Sequence, residues 1–195
     1  MALLEQIGLE RIGSAPVLKT KRLTLRPADA ADAQAIAALA NDHRVAENTL
    51  RIPHPYGLAD ARAFIRAATA ADGETVFLIA LADGELIGAC GIATLAAGQP
   101  EIGYWLGVRF WGQGYATEAA AAVVEHAFLN AGHEFLLAGA RITNYTSRRV
   151  LEKCGFEWTG VCLSRIHALG FSVPVDRFRL SRHDWIRTTH GTLAI

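Results

Sequence analysis

The sequence predicts a single α/β domain in which a mixed β-sheet is flanked by helices. Three observations carry this expectation. Stretches of period two, such as Lys21–Arg26 and Glu101–Val108, alternate with stretches of helical period, such as Asp29–Asn41, Leu58–Ala70 and Tyr115–Leu129. The length of 195 residues suits one domain. A hydrophobic content of 51% is ample for a core, yet apolar runs such as Val76–Ala82 are far too short to span a bilayer.

The elements follow in order. Residues 1–16 are expected to form a loosely held arm, residues 17–187 the domain, and residues 188–195 a tail. Lys21–Arg26 alternates as a strand. Asp29–Asn41 and Leu58–Ala70 are helical, anchored by Ile36, Leu39, Phe64 and Ile65. Between them, Arg44–Gly57 is a proline-containing loop. Thr75–Leu81 and Glu85–Leu95 form a hairpin turning at Ala82, Asp83 and Gly84. Phe135–Ile142 is a strand and Thr146–Cys154 a short helix. Phe156–Ala168 and Val173–Trp185 close the chain as a strand pair.

The most informative stretch is residues 99–124. Along the strand, Glu101, Gly103, Trp105 and Gly107 fall on one face, and Ile102, Tyr104, Leu106 and Val108 on the other. The second set should bury. Gly107, late in the strand, permits a close approach by a neighbour. Gly112 and Gly114 then make a turn, because glycine reaches backbone conformations closed to side chains. An alanine-rich helix runs from Tyr115 to about Leu129, with Glu118, Glu125 and His126 read as its wet side.

A helix that opens at a glycine turn aims several unpaired N–H groups at one spot, and its dipole favours an anion there. The dipole contributes only roughly 0.3–2 kcal/mol, while micromolar affinity needs about 8 kcal/mol. A phosphate is therefore anchored at the turn, and a long thin ligand running back along the strand supplies most of the binding. Two phosphate-loop patterns are excluded. No Gly-Lys-Ser/Thr tripeptide exists in the chain, and the third position of a dinucleotide fingerprint is Thr117.

The arrangement Arg109-x-x-Gly112-x-Gly114 resembles the acyl-CoA site of the GCN5-related N-acetyltransferases (GNAT). The longer run from Trp111 to Ala119 is similar to the ribosomal-protein N-acetyltransferase (RimJ/RimL-like) branch. So is a second block, Thr143–Phe156, through its Asn-x-x-Ser and Glu-Lys-x-Gly-Phe positions. Lys21–Pro27 and Ile52–Tyr56 fit the same branch, and the resemblance spans roughly residues 18–186. It implies the GNAT fold, acetyl-CoA as cosubstrate without a metal, and transfer of acetyl to a primary amine by direct attack. The acceptor it implies is the N-terminal α-amine of a protein, ribosomal in that branch. A small-molecule amine such as an antibiotic, polyamine or amino acid is the alternative, and a non-catalytic acyl-CoA-binding module is a third reading.

The chemistry sets requirements. The amine must be neutral to attack; an α-amine titrates near 8 and a lysine amine near 10.4, a difference costing roughly 3.3 kcal/mol at neutral pH. A proton acceptor is useful for both. The tetrahedral intermediate needs an N–H donor, and the departing thiolate gains modestly from an acid. The resemblance makes Glu101 the base, acting directly or through water, against the reading of a solvated strand-end glutamate. It makes Ser147 the acid. Ser147 precedes Val150, Leu151 and Cys154 at helical spacing and so shares their inward face; the plainer role is a helix cap. Other branches use a later tyrosine, where this chain has Lys153, Cys154 and Phe156. Asn144 is expected to meet the pantetheine arm, or to cap its helix. Leu106 and Val108 offer strand backbone to the pantetheine. Arg109, Gly112, Gln113, Gly114, Tyr115 and Ala116 cradle the pyrophosphate, mainly through backbone N–H groups.

Other features point away from competing functions. Lysine and arginine balance aspartate and glutamate at 19 each, which argues against a broad grip on nucleic acid. Cys90, Cys154 and Cys162 make no C-x-x-C pair and read as reduced core thiols. The start of the chain lacks the features of a secretory signal, so a cytoplasmic protein without membrane partners is expected, with a homodimer possible. His43 and His54 lie where the acceptor would approach, though loop histidines seldom touch a substrate; Tyr56 and Trp105 are candidate walls of the acceptor pocket, with core packing the plainer role for each; and the His183-Asp184 pair reads as surface.

Overall fold

The computed structural model describes residues 9–12, 15–70, 74–95 and 98–190. Among these residues nine strands form one sheet in the order β1-β2-β3-β4-β5-β6-β7-β9-β8. They are β1 (Leu9–Ile12), β2 (Ala15–Lys19), β3 (Leu23–Arg26), β4 (Thr75–Leu81), β5 (Leu86–Thr94), β6 (Pro100–Leu106), β7 (Phe135–Arg141), β8 (Glu157–Ile166) and β9 (Phe171–Ser181). Neighbours are antiparallel except β6 and β7, which are parallel. The sheet is thus mixed, as the alternation of periods predicts. Part of the predicted arm, Leu9–Ile12, pairs with Ala15–Leu18 as a hairpin; residues 1–8 and 191–195 lie outside the described residues.

Helices cover both faces. On one face, α1 (Ala33–Ala40) and α3 (Leu58–Thr69) pack against Leu78, Ala89 and Trp105. On the other, α4 (Tyr115–Leu129) buries Ala119, Ala120, Val123, Val124, Ala127 and Phe128 against Phe77, Ile102, Leu106 and Leu136. The helix α5 (Tyr145–Lys153) sits beside α4 and adds Val150 and Leu151 to that core. The alanine stripe of α4 lets its backbone lie close to the sheet. Fully burying each large side chain, Phe77, Phe128 and Phe178 among them, contributes about 1.5–3 kcal/mol.

Four sequence expectations change. Val173–Trp185 is not one strand: β9 ends at Ser181 and α6 (Arg182–His190) begins. Ser181 caps it, its Oγ accepting from the Asp184 N–H at 3.1 Å, and Trp185 packs against Phe128 with ring centres 5.5 Å apart. The Arg44–Gly57 loop overlaps a short helix, α2 (His43–Ala46), capped by Asp42. His126 is half-buried with its ring edge-on to Phe77 at 5.7 Å. Cys162 is exposed on β8, whereas Cys90 is buried and Cys154 half-buried. Burial pushes the Cys154 thiol up to about 12 and the Cys90 thiol higher still, which makes both poor nucleophiles.

Candidate active site

The parallel strands β6 and β7 stay together for only two residue pairs, Glu101 with Leu137 and Ile102 with Ala138. Beyond them Gly103–Leu106 of β6 has no partner on β7, and the sheet opens into a cleft of about 980 Å³. Tyr104, Leu106, Gly139, Ala140, Asn144 and Ser147 line it. The cleft continues to the start of α4, where Gly112, Gly114, Tyr115 and Ala116 also line it. A slot between strands that ends at a helix N-terminus suits a thin chain carrying a diphosphate at one end.

The glycine turn has the predicted geometry. Gly112 and Gly114 have φ of 75° and 81°, and α4 begins at Tyr115. Its first backbone bond runs from the Glu118 N–H to the Gly114 carbonyl. The amides before it have no acceptor within the helix and are available to an anion. Arg22 clamps the turn from the β2–β3 connection. Its Nη1 donates to the Gln113 carbonyl at 3.0 Å, its Nε to Glu118 Oε2 at 2.6 Å, and its guanidinium lies 4.6 Å from the Tyr115 ring centre. Thr20 Oγ1 donates to Glu118 as well, at 2.7 Å. Burial opposes the charge on Glu118, yet these bonds and the Arg22 charge hold its carboxyl below the usual range. The sequence run Lys21–Pro27 contains this clamp, but nothing local to it points at a helix nearly a hundred residues on.

The cofactor-side predictions divide. Leu106, Gly112, Gly114, Tyr115, Ala116 and Asn144 line the cleft, whereas Val108, Arg109 and Gln113 do not. The strand stops at Leu106, and Val108–Phe110 is a turn of 3-10 helix, so Val108 presents no strand edge to a ligand. The Arg109 side chain turns away to Glu85 at 2.6 Å and stacks on Phe110. Gln113 folds back, donating to the Arg109 carbonyl at 3.0 Å. Gly107 permits the close approach expected of it, since a Cβ there would fall 2.6 Å from Leu39 Cδ2.

The two candidate catalytic residues belong to opposite faces of the sheet. Glu101 shares its face with Trp105, which packs with the α1–α3 layer; Tyr104 shares its face with Ile102 and Leu106, which pack with α4. Ser147 lies in the first turn of α5. It is not the cap: Asn144 is, its Oδ1 accepting from the Ser147 N–H at 3.0 Å. That leaves the Ser147 hydroxyl to meet the Tyr104 hydroxyl at 2.9 Å, while Tyr104 also donates to the Ser147 carbonyl at 3.1 Å. Burial pushes the Tyr104 phenol well up, against the opposing bond from Ser147, so Tyr104 stays protonated at neutral pH. Strand alternation predicts that Tyr104 points inward; its partner comes from 43 residues away and could not be read from spacing.

Glu101 lines the cleft and is ion-paired through Oε2 to Nη2 of Arg177 on β9. It is therefore not the freely solvated glutamate of the plainer reading. Oε1 is the oxygen left to meet a water or an amine.

The far wall on the Glu101 face is built by the Arg44–Gly57 loop. Arg51 pairs with Glu74 at 2.8 Å, the His167 N–H donates to the Leu50 carbonyl at 3.0 Å, and Arg141 reaches the Glu47 carbonyl at 2.9 Å. These three ties fasten the loop on both sides. Ile52, Phe64, Val76, Ala93 and Trp105 line the chamber beneath.

Among the described residues no helix is long and apolar enough to cross a membrane, and no group of three His, Cys, Asp or Glu side chains could hold a metal.

Comparison with known proteins agrees with this geometry. The acetyltransferase (GNAT) domain family matches residues 22–157. An uncharacterised N-acetyltransferase p20 of Bacillus licheniformis is 27% identical over 174 residues, 86% of this chain and 97% of its own. Among solved structures, Mycobacterium smegmatis RimJ in complex with CoA-disulfide is 22% identical with a TM-score of 0.72 and covers 94% of each chain. Spermidine N-acetyltransferase from Vibrio cholerae, in complex with CoA and spermine, is 18% identical with a TM-score of 0.72, covering 84% of this chain and 98% of its own. With a strand-parting cleft, a glycine-turn helix start and the family match along most of its length, the chain belongs to the GNAT acetyltransferase family and is an acetyl-CoA-dependent N-acetyltransferase.

Proposed function

We propose that the enzyme acetylates a small primary amine carried on an apolar body. One observation carries this reading: the acceptor side is a largely apolar chamber beside the tied-down Arg44–Gly57 loop, and the carboxylates lining it already hold partners. Glu101 is paired with Arg177 and Glu74 with Arg51, and Asp60 accepts from the Gly57 N–H at 2.8 Å at the start of α3. A polyamine, with several cations to satisfy, calls for open carboxylates. A protein N-terminus calls for an open groove. A compact apolar amine needs neither.

The reaction follows from the two faces. The neutral amine approaches from the Glu101 face and attacks the thioester carbonyl in the gap between β6 and β7. The C–N bond forms, and the amine proton passes to Glu101, directly or through a water at Oε1. A strand amide near Leu106 is the proposed donor to the oxyanion. The C–S bond then breaks toward the α5 face, where the Ser147–Tyr104 hydroxyl pair delivers a proton to the departing thiolate. Asn144 and the α4 turn hold the pantetheine and pyrophosphate.

The N-terminal α-amine of a protein is the second reading. The runs Trp111–Ala119 and Asn144–Phe156 and the likeness to RimJ favour it. A homodimer is also proposed, through the outer strand β8, where Val161 and Leu163 are exposed; sedimentation of the wild type against Leu163→Glu tests it.

Thiol release from acetyl-CoA, measured with a panel of phenylalkylamines, apolar amino-acid amides, spermidine and short peptides, tests the acceptor. The reading expects the highest kcat/KM for an apolar small amine. A peptide or polyamine that is preferred by about tenfold, a difference of roughly 1.4 kcal/mol, overturns it.

A further inference from the structure

We propose that Arg177 is a positioning residue for Glu101, and that residue 139 is glycine so that Arg177 can reach it. The inference rests on the reading of Glu101 as proton acceptor.

The path is unusual for an ion pair in a sheet. Arg177 on β9 stands opposite Gly139 on β7, while Glu101 on β6 stands opposite Leu137. The guanidinium therefore crosses the full width of β7 to reach its partner. It does so over Gly139. A Cβ at that position would lie 2.8 Å from Arg177 Nη1 and 3.2 Å from Val175 Cγ1, both tighter than ordinary contact. Glycine inside a strand weakens it, so the absence of a side chain here is not a stability device. The pair itself is largely shielded, with side chains 22% and 12% exposed, and shielded ion pairs add little net stability because both charges lose water. What the contact does provide is a fixed carboxylate. Oε2 is held, and Oε1 keeps one orientation at the cleft.

The preceding residue extends the brace to the other face. Asp176 is buried at 3% exposure. Its Oδ1 accepts from Trp158 Nε1 at 2.8 Å, and its Oδ2 lies 3.2 Å from Nη1 of Arg148. Arg148 is the neighbour of Ser147 on α5. Adjacent residues of β9 thus direct their charges to opposite faces of the sheet, one toward the helix that carries Ser147 and the other to Glu101. Both candidate catalytic groups are referenced to one strand that does not itself border the β6–β7 gap.

The test separates positioning from folding and from the Glu101 reading. Arg177→Met should lower kcat by about tenfold or more, since ångström-scale misplacement of a reacting group is costly, with KM for acetyl-CoA unchanged. Arg177→Lys should recover part of the loss. Gly139→Ala keeps both charges and should still lower kcat, because the new Cβ meets the guanidinium. Adding Arg177→Met to Glu101→Gln should bring no further loss. Wild-type kcat in Arg177→Met, beside an inactive Glu101→Gln, overturns the positioning role and leaves Glu101 in place. Wild-type kcat in Glu101→Gln overturns the base assignment, and the inference with it. If Arg177→Met does not fold, Gly139→Ala decides, and an unchanged kcat there overturns the proposal.

Discussion

The hydroxyls of Tyr104 on β6 and Ser147 on α5 meet at 2.9 Å, beside the gap where the sheet parts. Each could face the departing sulfur, and each is held by the other. Tyr104→Phe and Ser147→Ala distinguish them. The substitution at the true donor should lower kcat by about tenfold at neutral pH, below the usual range for general acids because a thiolate is a tolerable leaving group. The other should cost about threefold through lost orientation. Solvent isotope effects on kcat in both variants check the assignment. Equal and negligible effects would mean that the thiolate departs unassisted.

Arg22 binds no substrate in this reading, yet it holds the glycine turn at the start of α4 together through Gln113 and Glu118. Arg22→Ala should raise KM for acetyl-CoA about fivefold to tenfold, the scale of one ordinary net hydrogen bond, and leave kcat for saturating substrates nearly unchanged. Titration with desulfo-CoA would measure the same loss directly. A fall in kcat at constant KM would contradict the clamp.

His126 should make stability pH-dependent. Burial, first among its influences, pulls the imidazole below its usual value of 6.5. The unfolded chain therefore takes up the proton first as pH falls. Stability from the neutral buried ring is fully present above pH 6.5 and declines as pH drops from there through the lowered native value. Urea midpoints should decrease over that window in the wild type and flatten in His126→Gln, whose side chain does not titrate.

Two glycines of the central strands should respond oppositely to a side chain. A Cβ at Gly88 would lie 2.1 Å from the Trp105 carbonyl oxygen, a backbone atom that cannot swing aside. Gly88→Ala should cost about 3 kcal/mol, the upper range for overpacking. A Cβ at Gly103 meets nothing within 4 Å and lies between Glu101 and Trp105 on the acceptor face. Gly103→Val should leave the melting temperature and KM for acetyl-CoA intact and raise KM for the amine. Thermal melts alongside two-substrate kinetics separate the cases.

Much of the fold was legible because it depends on short-range periodicity. The start of α4 at Tyr115 follows from a glycine turn, the hairpin at Gly84 from its turn residues, and the inward face of β6 from alternation. Where local signals competed, the longer pattern misled. Val173–Trp185 alternates plausibly throughout, yet the Ser181–Asp184 cap starts a helix inside it. His126 looks wet on an alanine-rich helix, and only Phe77 on β4 explains why it is half-buried.

The sequence by itself determined the α/β class, the order of elements and the place of the glycine turn that opens α4, since each rests on residues within a turn or two of one another. Tertiary structure alone decided that Tyr104 meets Ser147, that Arg177 crosses Gly139 to hold Glu101, that Arg22 clamps Glu118, and that the Arg44–Gly57 loop is tied down over an apolar chamber. These are contacts between strands and helices far apart in the chain, and their partners are chosen by sheet order and register, which no local spacing encodes. The parting of β6 from β7 after Ile102 is of the same kind: it turns a run of alternating residues into one wall of an open cleft.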